Sequence, residues 1–143
     1  MNRLMVSVVV GVAVVLAVPI AAVIGFSSWE EGKCKEGVRE LRRIRGAVAA
    51  ELAVLNSPPL RTVAVCDSGD SPYLATRLDP SIPPQQVTRH LESRGWRIAD
   101  TYRRPDGEIW SWEMQKMYQT KSAHLSIIHQ SVTGPVSISV SLL

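Results

Sequence analysis

The run from Leu4 to Phe26, LMVSVVVGVAVVLAVPIAAVIGF, contains no charged residue and one hydroxyl, that of Ser7. Wound as a helix, about 23 residues extend about 34 Å, enough to cross a hydrocarbon core of about 30 Å. A helix of this length inside a soluble core would show a polar face, and this one has none. Two readings remain, a transmembrane anchor and a cleaved secretory signal. Signal peptides carry apolar regions of about 7–15 residues and end in a small-x-small site. The triplets Val23-Ile24-Gly25 and Gly25-Phe26-Ser27 lack the favoured Ala-x-Ala pattern. The length therefore predicts a signal anchor over about residues 4–26 within an N-terminal segment 1–29. Cleavage near residues 25–27, releasing a small secreted protein, is the alternative. Pro19 is compatible with a kinked span. Trp29 follows at headgroup depth, where indole rings are favoured, and is the predicted membrane-interface residue.

Orientation rests on opposing signals. Only Arg3 precedes the run, whereas Lys33, Lys35, Arg39, Arg42, Arg43 and Arg45 follow it. That count alone would hold the C-terminal part in the cytoplasm. However, Glu30 and Glu31 stand nearest the exit, and further glutamates alternate with the later positive residues. The two cysteines favour the outside, because a Cys pair in a small domain suggests an oxidising compartment. A helix from Cys34 to Leu55 would rise about 31 Å. The chain then reverses at Pro58-Pro59, and a strand from Leu60 to Cys66 would return about 20–23 Å. Cys66 comes back close to Cys34, so the expectation is a Cys34–Cys66 disulfide, with two separate buried thiols as the alternative.

Beyond the run, about 115 residues suffice for one compact domain, 30–143. Of the 16 basic residues only Arg3 lies outside it, leaving 15 against 13 acids, a net charge of +2. That balance argues against a nucleic-acid partner. Val38, Leu41, Val48, Leu52 and Leu55, with Ile44 beside them, recur at helical spacing and predict a helix over about 34–55. Arg39 to Arg45 reads as a solvated helix face with ion pairs such as Glu36 with Arg39; a grip on anionic headgroups is the alternative. A hairpin is expected over about 60–78, around the turn cluster Asp67 to Pro72. Pro84 opens a helix over about 84–94 that stops at Gly95, with a thin stripe of Val87 and Leu91. The remainder, about 96–143, reads as antiparallel strands. One side of the first is expected to hold Trp96, Ile98 and Tyr102, and Val136 to Leu142 alternates strictly. The fold class is α+β: an N-terminal transmembrane helix, then a mainly antiparallel sheet packed on one side by two helices.

Few residues invite chemistry. Gly69-Asp70-Ser71 after a strand resembles the Gly-Asp-Ser motif of the SGNH hydrolases, where the serine is the nucleophile. That family also uses an oxyanion-site asparagine and a downstream Asp-x-x-His, and neither exists after Asn56. The motif reads as a plain turn. Asp67 and Asp70 supply too few carboxylates for a calcium loop. His90, His124 and His129 lack ligand spacing, with His124 and His129 on opposite faces of a strand, and read as surface or rim residues. Trp110 and Trp112 fall on one face with Met114 and Tyr118. Core packing fits them, and a stacking platform for a ligand is the alternative. No catalytic residue, cofactor or metal site is expected. The sequence thus predicts a non-catalytic, single-pass protein presenting an extracytoplasmic binding or assembly domain. Its partners would be the lipid bilayer and another envelope protein or cell-surface component. A pilin-like fibre subunit is a weaker alternative, because the usual Gly-Phe processing site with a glutamate just inside the apolar helix is missing.

Overall fold

The computed structural model describes residues 32–64, 66, 70–131 and 134–143. The expected span at Leu4 to Phe26 and its flanking Trp29 lie outside the described residues. Among the described residues no helix is long and apolar enough to cross a membrane.

The first element, α1, occupies residues 32–52 and tightens into a 3₁₀ turn, Ala53–Leu55, that ends at Asn56 with φ 50°. The predicted stripe holds: Cys34, Leu41, Val48, Leu52 and Leu55 are buried, with Ile44 packed beside them. The ion pair formed on its outer face joins Arg43 to Glu40 at 2.7 Å, one turn along from the pair anticipated. Strands β1 (Arg61–Val63) and β2 (Tyr73–Arg77) form the expected antiparallel hairpin. Helix α2 (Pro84–Ser93) starts on two prolines, buries Val87 and Leu91, and gives way at Arg94 and Gly95. Gly95 has φ +90°, a conformation that costs glycine little and other residues more. The chain then meanders through β3 (Arg97–Arg103), β4 (Ile109–Tyr118), β5 (Lys121–His129) and β6 (Val136–Leu142).

All neighbouring strands pair antiparallel in one six-stranded sheet of order β1-β2-β6-β5-β4-β3. The connection through α2 carries the chain from β2 to the opposite edge at β3. Alternate residues then sort by face. Leu125 and Ile127 of β5, and Val136, Ile138 and Val140 of β6, enter one core with Leu41, Leu52, Val87 and Leu91 of the helices. Each such side chain contributes about 1.5–3 kcal/mol when taken fully out of water. Ser122, His124 and Ser126 of β5, and Ser137, Ser139 and Ser141 of β6, lie half-buried on the other face.

Two register shifts correct the sequence reading of β3 and β4. An extra residue at Ala99 in β3 puts Ile98 opposite Met114 but Tyr102 opposite Ser111, so Ile98 and Tyr102 do not share a face. An extra residue at Trp110 in β4 breaks the alternation there. Trp112 is in the core, but Ile109 rather than Trp110 packs against it. The Trp110 ring instead lies 6.3 Å from that of Tyr102. Such bulges insert one unpaired residue and flip everything beyond it. The connection between β4 and β5 is only Gln119 and Thr120, with Gln119 at φ 54°.

Two attachments fix α1 to the sheet. At its start, the Cys34 and Cys66 sulfurs sit at disulfide distance, with Cα atoms 5.7 Å apart and a sequence separation of 32. One turn on, Gly37 admits the buried Pro72; a Cβ on Gly37 would come within 2.9 Å of the proline Cγ. At its end, the Glu51 carboxylate accepts hydrogen bonds from Trp96 Nε1 at 2.7 Å and Tyr118 Oη at 2.9 Å, and pairs with the Lys116 ammonium. The Glu51 carbonyl lies 2.6 Å from His90 Nε2. Glu51 stands on the flank of the apolar stripe with only 14 % of its side chain exposed.

Burial first, then the hydrogen bond to Glu51 and its negative charge, push the Tyr118 hydroxyl well above the ordinary tyrosine range. The phenol of an unfolded chain ionises near pH 10 while the folded one still holds its proton. The unfolded state therefore binds fewer protons above that pH, and this contribution to stability falls as the solution becomes more alkaline. We predict that Tyr118 ionises only with unfolding in an absorbance titration. Tyr118→Phe should remove that late step; a Tyr118 signal that ionises in the still-folded protein near the ordinary tyrosine range would refute the assignment. A bond closing a loop of this size is worth about 3–4 kcal/mol through the unfolded chain. Guanidinium unfolding with and without reductant should show that loss, and Cys34→Ser/Cys66→Ser should reproduce it. Identical midpoints would mean that the pair is not bonded.

Candidate functional site

The face of the sheet turned away from the helices gathers the polar side chains. One row, read across the registers, runs Asp100, Glu113, Ser126, Ser139, Ala75, Arg61 from β3 to β1. A flanking row runs Tyr102, Ser111, Ile128, Ser137, Arg77, and another Arg97, Gln115, His124, Ser141. Period-two alternation delivers the residues of β5 and β6 to this face, each between two core residues on its own strand. The inner strands contribute small hydroxyls, with Asp100, Glu113 and Arg97 toward the β3 edge and Arg61 and Arg77 toward the β1 edge.

Glu113 is the hydrogen-bonding centre of this face. Its Oε2 accepts from Ser126 Oγ at 2.5 Å and lies 3.2 Å from His124 Nε2, while Oε1 accepts from Ser111 Oγ at 3.3 Å. The side chains of Glu113 and His124 are 16 % and 29 % exposed, so solvent reaches the pair. A nucleophilic relay needs a serine hydroxyl bonded to a histidine that is in turn held by a carboxylate. Here Ser126 and His124 both address the same carboxylate oxygen. The arrangement orients hydroxyls and an imidazole at a surface, and does not couple them in series.

At the β1 edge a groove of about 670 Å³ opens over Arg61, Tyr73, Ala75, Arg77, Ser137 and Ser139, with Pro58 and Pro59 at its rim. Thr76 Oγ1 donates to the Pro58 carbonyl at 3.0 Å, tying that rim to β2. A second depression, of about 640 Å³, lies over Arg97, Ile98, Gln115 and Met117 at the opposite edge.

The residues singled out from sequence are not assembled in one place. Cys34 and Cys66 come together at the base of α1. Trp112 is buried and Trp110 is half-buried against Tyr102, so the two do not make a common platform. His124 and His129 do face opposite ways, but His129 is buried at 8 % exposure rather than rim-exposed, and His90 is held by Glu51. Ser71 and Asp70 are exposed, while Asp67 and Gly69 lie outside the described residues. Among the described residues no group of three His, Cys, Asp or Glu side chains is placed to hold a metal ion. Glu113, Arg61 and Arg77 were missed, although the serines alternating with Ile and Val in β6 marked the polar face to which they belong. No protein-family model, no curated protein and no solved structure matches this chain.

Two carboxylates of similar exposure thus have different partners. Replacing Glu51 strands the indole N–H of Trp96, which is only 2 % exposed, and should cost about 3 kcal/mol. Of the partners of Glu113, Ser126 and His124 are half-buried and can turn to water, and only the long bond from the buried Ser111 is lost without replacement, so Glu113→Ala should cost about 1 kcal/mol. Urea unfolding of Glu51→Ala and Glu113→Ala checks the contrast. Equal losses would make Glu113 a structural carboxylate.

Proposed function

We propose that this chain is a single-pass, membrane-anchored protein that carries its α+β unit outside the cytoplasm as a non-catalytic binding or assembly module. The uncovered face of the sheet is its contact surface, and its partner is another envelope protein or cell-surface component. The observation that carries this reading is the one-sided sheet. Two helices cover one face, while the other offers hydroxyls, an imidazole, a carboxylate and a groove to solvent. Such a surface recognises by many weak polar contacts around a concavity. The address is supported by the uncharged run from Leu4 to Phe26 and by two cysteines at disulfide distance, which suits an oxidising compartment.

Release by cleavage near residues 25–27 would leave the same contact surface on a secreted protein. The expected result of treating intact cells with a membrane-impermeant maleimide is labelling of both cysteines only after a reductant is added. Labelling only after lysis, with no reductant needed, would put the domain in the cytoplasm and overturn the address.

A further inference from the structure

We propose that the groove over β1, β2 and β6 binds an anionic carbohydrate. Arg61 and Arg77 would take its acid groups, and Tyr73 with Ser137 and Ser139 would take the sugar. This deepens the reading of the open face as a contact surface and rests on it.

The charge comes first. Arg61 pairs with Ala75, and Arg77 stands two residues further along β2 on the same face. Residues so related across an antiparallel pair have centres about 7–8 Å apart. Both side chains line the groove. Among the described residues neither guanidinium has a hydrogen-bond or ion-pair partner, whereas Arg43 and Arg104 each pair with a glutamate. Glu113, the acid on the same cross-sheet row, stands four strands away, about 19 Å at the usual spacing. Salt screens that distance heavily. Two adjacent unbalanced guanidiniums repel, and an oxyanion offering two oxygens to each planar fork relieves that repulsion.

The floor decides the rest of the ligand. Strands β2 and β6 both have neighbours on each side, so their backbone groups are already paired. A peptide could add as a further strand, the usual way a sheet captures one, only along the outer edge of β1, beside the groove and not over its floor. What the floor does offer is the half-buried Tyr73, the methyl of Ala75 and the hydroxyls of Ser137 and Ser139. An aromatic ring beside hydroxyls suits a polyol, which has both C–H faces and donor–acceptor groups. Geometry also disfavours the headgroups of the chain's own membrane. Tyr73 pairs with Val63, three residues before the Cys34–Cys66 junction at the start of α1. Arg77 lies about 13 Å beyond Tyr73 along the strand, away from that junction.

The test uses the full chain in zwitterionic nanodiscs and isothermal titration with a hexagalacturonate. Cellohexaose is the neutral control and hexaglutamate the acidic-peptide control. The expected result is hexagalacturonate binding that weakens about tenfold between low and physiological salt. Cellohexaose should bind far more weakly. Arg61→Ala/Arg77→Ala should lower affinity at least tenfold, and Arg61→Lys/Arg77→Lys should fall between. Arg42→Ala, at an exposed position on α1 and off the open face, should leave binding unchanged. Arg61 and Arg77 are exposed, and circular dichroism of each variant checks that it folds. No heat with hexagalacturonate, native affinity in the double alanine variant, or hexaglutamate binding as tightly as the uronate would each overturn the proposal. The address fails separately: cytoplasmic cysteines would refute the outside location, whereas silent titrations with the cysteines bonded outside would refute the groove.

Discussion

Burial of the alternate residues of β5 and β6 beneath α1 and α2 is the interaction on which the other features depend. These two strands pair along almost their whole length and give the core Leu125, Ile127, Val136, Ile138 and Val140. Because side chains alternate strictly, every residue committed to the core commits its neighbours to the opposite face. With two helices for six strands, that face must be tolerable to water, and serine is a small polar residue compatible with a strand. The polar surface is thus a by-product of the core as well as a broad place where a ligand could be met.

The fastening of α1 follows from the same geometry. Its stripe reaches the sheet, but an amphipathic helix on a sheet can slide. The cysteine pair holds its first turn and Glu51 holds its last, some 17 residues apart, about 26 Å along the helix axis. The Glu51 carboxylate is more than a peg. It accepts hydrogen bonds from an indole just after α2 and from a phenol and an ammonium on β4, joining α1, the end of α2 and β4. Each of these donors would be left short without it.

Much of this was legible in the sequence, and the parts that were not have physical causes. Helical spacing disclosed α1 and α2, and period-two alternation disclosed β6. The two prolines before Leu60 and the reach of a strand foretold that Cys66 would return to Cys34. Tyr102 and Trp110 were misplaced because one extra residue in each of β3 and β4 reverses the alternation, and neither Ala99 nor Trp110 announces a bulge. Gln119 adopts a positive φ without being glycine or asparagine, so the short β4–β5 turn read as a loop. Glu51 sits three residues after Val48 and four before Leu55, a flank position visible on a helical wheel only when its partners are known. The groove depends on strand order. That β6 lies between β2 and β5 brings Ser137 beside Arg77, and no local pattern encodes that adjacency.

The junction at Cys34 and Cys66 also has a mechanical meaning. Any pull on the chain preceding α1 enters the folded unit at the first turn of that helix. With the junction closed, the load passes to β1, which is hydrogen-bonded to β2 along its length, and is spread over the sheet in shear. With it open, the same load would peel α1 from the core one turn at a time, and Glu51 would be the last point of resistance. The cysteine pair therefore decides whether a tether on this chain tugs at a helix or at the whole sheet.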